Sequence, residues 1–223
     1  MSTDFFKLSR GNNLSQRTYV AHMLREAIVS GKLKPGTQLK QNEVGKKFEC
    51  SPGPVREAMR DLESEGLIEH FPNRGVFVTE ITKEEYLEML LPARVVLEKF
   101  ALKNAAKKFT PEVIEILNEQ IEIMRKGAKK KDIDSVSEAD MKFHMIVMQT
   151  AATQQTFHLW KSVMSRIRLE LYRVGPHPVL AEQAPNHTQL LAAILNGDVK
   201  KLYKEIEWHC IGSVSDPLKR DFK

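Results

Sequence analysis

Residues 36–78, GTQLKQNEVGKKFECSPGPVREAMRDLESEGLIEHFPNRGVFV, admit few folds. A short helical segment at about 42–48 is followed by a tight turn and then Ser51-Pro52. This is a helix start, with Ser at the cap and Pro at the first helical position, where its missing N–H costs nothing. Val55, Ala58, Met59 and Leu62 then share one face, which leaves Gly53, Arg56, Glu57 and Arg60 outward, and Gly66 ends the run. Residues 67–71 and 76–81 are apolar and β-branched around PNRG, the pattern of a two-stranded hairpin. Two small helices set at an angle, the second with a polar face, form the unit that places side chains in a DNA major groove. A hairpin behind them can lie on the flanking backbone as a wing.

Charge follows the same division. Over residues 15–60 nine Lys/Arg stand against four Glu, whereas over 61–80 five acids stand against Arg74 alone. The positive charge sits on the two-helix unit, and an ordinary solvated surface accounts for it equally well. The net charge of +5 permits a polyanionic partner. No apolar run approaches the roughly 18–20 residues that a membrane span needs, which argues against a membrane partner. The N-terminus has no apolar core of the kind a signal peptide needs, so a cytoplasmic location is expected. Cys50 and Cys210 lack CxxC spacing and predict no structural role for the thiols.

Four regions emerge. Residues 1–14 read as a flexible arm and 15–80 as a winged helix-turn-helix, its first helix capped by Ser15. Residues 82–215 read as an all-helical region and 216–223 as a tail. Thr82-x-x-Glu85 is a capping box that opens the helical region. Helical patterns at about 83–107, 111–127, 132–150, 154–174, 178–196 and 198–214 imply an antiparallel bundle. Thr110-Pro111, Gly127, Gly175-Pro176 and Asn196-Gly197-Asp198 punctuate them. The fold class is therefore mainly α.

Asp140 and His144 lie four apart in EADMKFHMIVM and share one helix face, from which both can reach one divalent cation. His187 and His209 lie in later helices, and a bundle can aim side chains from several helices at one interior point. The alternatives are a satisfied core histidine and a surface acid–His pair. No GxSxG, HExxH, P-loop or dinucleotide-binding glycine pattern occurs, so nothing marks an enzyme.

These residues together resemble the GntR family of bacterial transcription regulators, with a second half similar to the FCD ligand-binding domain of its FadR branch. PGTQL (35–39), SPGPVREAMRDLESEGLI (51–68) and RGVFV (74–78) carry the first resemblance. Arg94/Glu98, Asp140/His144, His187 with Ile194, Gly197 and Asp198, and His209 carry the second; six helices is similar to the VanR-like subgroup. The resemblance implies a homodimer reading a pseudo-palindromic operator. It also implies a repressor of a catabolic operon, released when a small organic acid binds beside a metal. The implied metal ligands are Asp140, His144, His187 and His209, which suit zinc first, then nickel, manganese or iron.

The implied DNA contacts are Asn42, Ser51, Gly53, Arg56, Arg74 and Gly75. The family often has Arg where this chain has Asn42 and Pro52, so the operator it reads is expected to differ. Arg94 is the implied effector residue, because a guanidinium pairs bidentately with a carboxylate. A within-helix pair with Glu98 is the competing reading, and Arg168 and Arg173 offer the same chemistry. A metal-sensing regulator, or a metal-dependent enzyme carrying a DNA-binding domain, remain the alternatives.

Overall fold

In the computed structural model, which describes residues 15–173 and 180–213, the Ser15 hydroxyl accepts from the Thr18 amide and opens α1 (Gln16–Val29). The arm at 1–14, the tail at 216–223 and the turn expected at Gly175-Pro176 lie outside the described residues. Helix α1 buries Val20, Met23, Leu24 and Ile28 and packs against α3 (Pro52–Ser64), whose Val55, Ala58 and Leu62 have no exposed surface. Each large side chain so buried stabilises the fold by about 1.5–3 kcal/mol. Arg17 and Arg25 reach across to Asp61 and Glu65, each through two hydrogen bonds. Between them, α2 (Gln41–Phe48) ends at Glu49 in the left-handed conformation.

The expected hairpin is the larger part of a three-stranded antiparallel sheet. β2 (Ile68–Phe71) pairs with β3 (Gly75–Val78) from Ile68 opposite Val78 to Phe71 opposite Gly75. β1 (Gln38–Leu39) adds to the other edge of β3, with Gln38 opposite Phe77. A two-residue strand has no alternation that a sequence can display. It is held by distant backbone partners: the Gly36 N–H donates to the Val78 carbonyl and the Val78 N–H to the Thr37 carbonyl.

The chain divides after Thr82 into two compact units, the second holding most of the residues beyond that point. Its helical run begins at Lys83 and winds as a π turn over Glu85–Leu90 before α4 (Leu91–Leu102). Pro92 supplies the cause: it has no N–H for the carbonyl four residues back, and its ring would strike that carbonyl in a regular helix. The single helix expected over 83–107 is therefore interrupted at its start and ends at Leu102, followed by a 3₁₀ turn at Ala106–Lys108.

Helix α5 (Pro111–Lys130), capped by the Thr110 hydroxyl, runs past Gly127, where the sequence pattern stops it. Gly127 is a contact point instead of a terminator. A Cβ there would lie 2.8 Å from Val136 Cγ2 and 3.3 Å from the Asp132 carbonyl oxygen. Then come α6 (Ile133–Ala151), α7 (Gln154–Arg173), α8 (Leu180–Asn196) and α9 (Val199–Glu207), which continues as a π turn over Trp208–Gly212. The apolar faces of α5, α6, α8 and α9 meet in one core through Leu117, Met124, Phe143, Leu190, Ile194 and Ile206. The fold is thus mainly α, a winged helix-turn-helix with its small sheet followed by a helical bundle. Among the described residues no helix is long and apolar enough to cross a membrane.

Candidate functional site

Two surfaces carry chemistry, one exposed and one buried. On the first, Arg56 stands exposed on the outer face of α3. Glu57, its neighbour in sequence, accepts from Arg60 at 2.9 Å, and no ion pair of Arg56 exists among the described residues. Ser51 holds the cap position of α3, but its hydroxyl makes no cap hydrogen bond, so the expected cap is positional only. Gln41 Nε2 donates to the Pro52 carbonyl at 2.7 Å and ties α2 to the start of α3. A Cβ at Gly53 would meet nothing within 4 Å, so nothing inside the protein requires glycine there. Asn42 is exposed near the start of α2.

In the wing, the Arg74 guanidinium lies 5.4 Å from the Phe71 ring and 5.7 Å from the Phe77 ring. Such stacking holds an exposed charge at a defined place, at about 0.5–1 kcal/mol. Gly75 has a local reason as well. Its φ is 104°, and a Cβ would approach Gln38 Nε2 to 3.0 Å, the nitrogen that donates to the Arg74 carbonyl.

The buried surface lies in the bundle. Asp140 and His144 project from one face of α6, His187 from α8 and His209 from the π turn after α9. Each of the three imidazoles offers a ring nitrogen within 4.8 Å of the others, and all three rings are buried. Asp140 completes the cluster on one side, its Oδ1 2.9 Å from His187 Nε2 and 3.9 Å from His144 Nε2. With 22% of its side chain exposed, Asp140 is also where the cluster meets solvent.

Three ring nitrogens of the cluster, His144 Nδ1, His187 Nε2 and His209 Nδ1, have no hydrogen-bond partner among the described residues. His187 Nδ1 donates to the Gln183 carbonyl at 2.7 Å, which leaves Nε2 as the ring nitrogen that faces the cluster. That Nε2 makes no hydrogen bond although Asp140 Oδ1 is 2.9 Å away, because the oxygen lies off the hydrogen-bond direction. His144 Nε2 in turn has His209 Nε2 at 3.0 Å and Arg94 Nη2 at 2.9 Å, two neighbours for one lone pair. Acceptor atoms converging on one point are the donor set of a divalent cation, and three imidazoles with a carboxylate fit one.

Electrostatics favours the ligating forms. Burial pushes His144 down to about 3, with the Arg94 charge adding to it, and burial pushes His209 well below its ordinary value. Both rings are neutral at physiological pH, the state in which imidazole binds metal. Burial would raise Asp140, but His187 and the Arg94 charge more than offset it and keep the carboxyl ionised.

Arg94 makes the within-helix pair with Glu98 that was the competing reading, Nε to Oε1 at 2.8 Å, and spends Nη2 on His144. Arg168 is half-buried, and the Arg173 side chain lies outside the described residues.

Sequence reasoning passed over the groups behind Arg94. Glu98 Oε1 also accepts the Trp160 indole N–H at 3.0 Å, and Cys210 Sγ donates to Glu98 Oε2 at 3.6 Å. Burial would raise Glu98, yet the Arg94 charge holds it below the usual carboxylate range, while burial keeps Cys210 a thiol. Cys210 is therefore part of a buried polar network, contrary to the inert role expected for it. The only sequence signal for this network was the four-residue spacing of Arg94 and Glu98.

Residues 16–78 match the family described as bacterial regulatory proteins, gntR family, and residues 89–210, more than half of the chain, match the FCD domain. The chain is 30% identical over 144 residues to the gluconate operon transcriptional repressor of Bacillus licheniformis, spanning 65% of this chain and 58% of that protein. It is 28% identical over 200 residues to the HTH-type transcriptional repressor RspR of Escherichia coli, spanning 88% of this chain and 85% of that one. In fold it is similar to the solved structure of E. coli McbR/YncC, with TM-score 0.80 and 21% identity over 93% of this chain and 99% of the other.

Proposed function

The chain belongs to the GntR family of bacterial regulatory proteins and carries an FCD domain, and from that premise we propose a metal-containing repressor of a catabolic operon, released by a small organic acid. It is a transcriptional regulator and not an enzyme, in line with its family and relatives. Residues 15–80 form the reading unit and 82–215 the sensing unit. Arg56 reads a base edge from α3, flanked by Asn42, Ser51 and Gly53. Arg74 and Gly75 bring the wing to the flanking backbone. The free guanidinium of Arg56 and the open space at Gly53 support this assignment.

His144, His187, His209 and Asp140 hold a divalent cation, zinc first among those that suit the donors. When bound, it supplies a fixed positive centre for a carboxylate or hydroxyl oxygen. Arg94 faces the same point from α4 and offers the acid a guanidinium. The observation that carries this reading is the buried convergence of three imidazoles, with Asp140 Oδ1 2.9 Å from His187 Nε2. The acid lowers operator affinity only by as much as it prefers one conformational state over another.

A second copy of the chain is the remaining partner. Met89, Val96 and Phe100, at helical spacing, are 50, 65 and 54% exposed, an apolar stripe of the kind that interfaces cover.

Elemental analysis of the purified protein, with gel shifts on upstream DNA over a salt series, tests the whole reading. Near-stoichiometric metal is expected, with log affinity falling linearly against log salt and release by an acid that a chelator abolishes. Absence of metal removes the sensing part, and a flat salt response removes the reading part. Release by metal alone replaces the acid sensor with a metal sensor.

A further inference from the structure

His144 Nε2 is the ring nitrogen that faces Asp140 Oδ1 at 3.9 Å and His209 Nε2 at 3.0 Å, which makes it the donor toward the proposed centre. In this structure a guanidinium N–H of Arg94 takes its lone pair at 2.9 Å. One lone pair serves one partner at a time. Arg94 is held to that task from behind, since its Nε is bonded to Glu98 Oε1 at 2.8 Å and the same oxygen accepts from Trp160. Its charge is permanent, because a guanidinium stays protonated in proteins and the Glu98 carboxylate lies bonded to it. A second cation beside it is repelled as well as excluded from the lone pair.

We infer that Arg94 is a built-in competitor for the metal, a side-chain cation that must leave His144 before a divalent ion can take that nitrogen. The inference rests on the proposed metal reading and adds a regulatory consequence to it. Once turned away from His144, Nη2 has lost its acceptor while Nε remains anchored on Glu98. It then presents an unsatisfied N–H beside the metal, and a carboxylate satisfies it. Metal and acid thereby favour each other, and the coupling is reciprocal: the acid must tighten the metal by the factor by which the metal tightens the acid. Glu98 and Trp160 act as positioning residues in this scheme, because they fix which way the guanidinium can swing.

Zinc affinity, read by competition with a chromophoric chelator, tests the inference. The comparison is between the full-length protein and the double variant Arg94→Met/Glu98→Gln. This pair removes the competing cation without leaving a buried charge alone, and the glutamine oxygen still accepts from Trp160. The double variant is expected to bind zinc about 10- to 100-fold tighter, the worth of one hydrogen bond to a charged group. Arg94→Lys keeps an ion pair with Glu98 but lacks the second N–H, and should shift zinc affinity in the same direction by less. Acetate, as the probe carboxylate, should tighten zinc on the parent protein and leave the double variant unaffected.

Equal or weaker zinc binding in both Arg94 variants, with His187→Ala losing zinc, overturns the competition and leaves the metal centre standing. Failure of the parent and both variants to bind zinc removes the metal reading and the competition with it.

Discussion

In the first unit Arg17, Arg25 and Arg60 pair with Asp61, Glu65 and Glu57 at or near the surface. In the second, Arg94 and Glu98 meet with only 8% and 1% of their side chains exposed. Exposed pairs contribute about 0–1 kcal/mol each, because water already solvates both partners and salt screens them. A desolvated pair costs several kcal/mol per ion before its attraction is counted, so it is a poor way to stabilise a fold. The two units therefore use charge for different ends. The reading unit keeps its cations in water, where a polyanion can exchange counterions for them. The sensing unit withdraws a small set of charges into a bundle, where each has few partners and a change in one is felt by the rest.

The largest expected effect sharpens that contrast. Glu98→Leu should lower the stability of the full chain by about 3–5 kcal/mol in denaturant melts, because it leaves the Arg94 charge buried and unpaired. Glu57→Ala, at the exposed pair with Arg60, should lose no more than about 1 kcal/mol. Similar losses in the two variants would erase the distinction between the units.

Next comes Arg56→Ala, expected to weaken operator binding by about 1–3 kcal/mol in titrations while leaving the melt unchanged. An unchanged operator affinity would remove Arg56 from the reading surface, and a lowered melting point would make it structural.

Two glycine substitutions probe the same contrast at smaller scale. Gly127→Ala forces a methyl to within 2.8 Å of Val136 and should cost about 1–3 kcal/mol. Gly53→Ala meets nothing and should leave stability unchanged or raise it by up to about 1 kcal/mol, while weakening DNA binding if the backbone approaches there. A destabilised Gly53→Ala would mean that an internal constraint exists.

The smallest effect is a pH dependence. The hydrogen bond from Arg17 holds Asp61 below its ordinary value of 3.8, so the native state binds the proton less readily than the unfolded chain. The stabilisation is then fully present above about 3.8 and lost as pH falls through the native value. The melting difference between Asp61→Asn and the parent should accordingly be visible at pH 7 and close in acid. A difference that persists at low pH would place its origin elsewhere.

The recognition-type helix, its buried face, and Asp140 and His144 on one face of α6 were all legible in the sequence, because each depends on residues a few positions apart. Strand β1 was not, because its pairing with β3 joins residues nearly forty apart and its own two residues carry no period. Gly127 misled in the opposite direction: a local rule reads glycine as a stop, and only α6 packed against it turns the same residue into a close contact. Pro92 carried a signal that the helical period around it concealed.

The candidate site divides in the same way. Asp140 and His144 could be paired from their spacing, and His187 and His209 joined to them only through the resemblance to the FCD domain. Yet Arg94 on His144, Trp160 on Glu98 and Cys210 on Glu98 join residues 50, 62 and 112 positions apart. The sequence by itself determined which segments are helical, which face each one hides and which side chains have the chemistry for DNA or metal, since these follow from short-range sterics and periodic burial. Only the tertiary structure decided which of those side chains meet and that a guanidinium and three imidazoles contend for one point. Long-range packing settles that, because a helix places its residues in space only once another helix covers it.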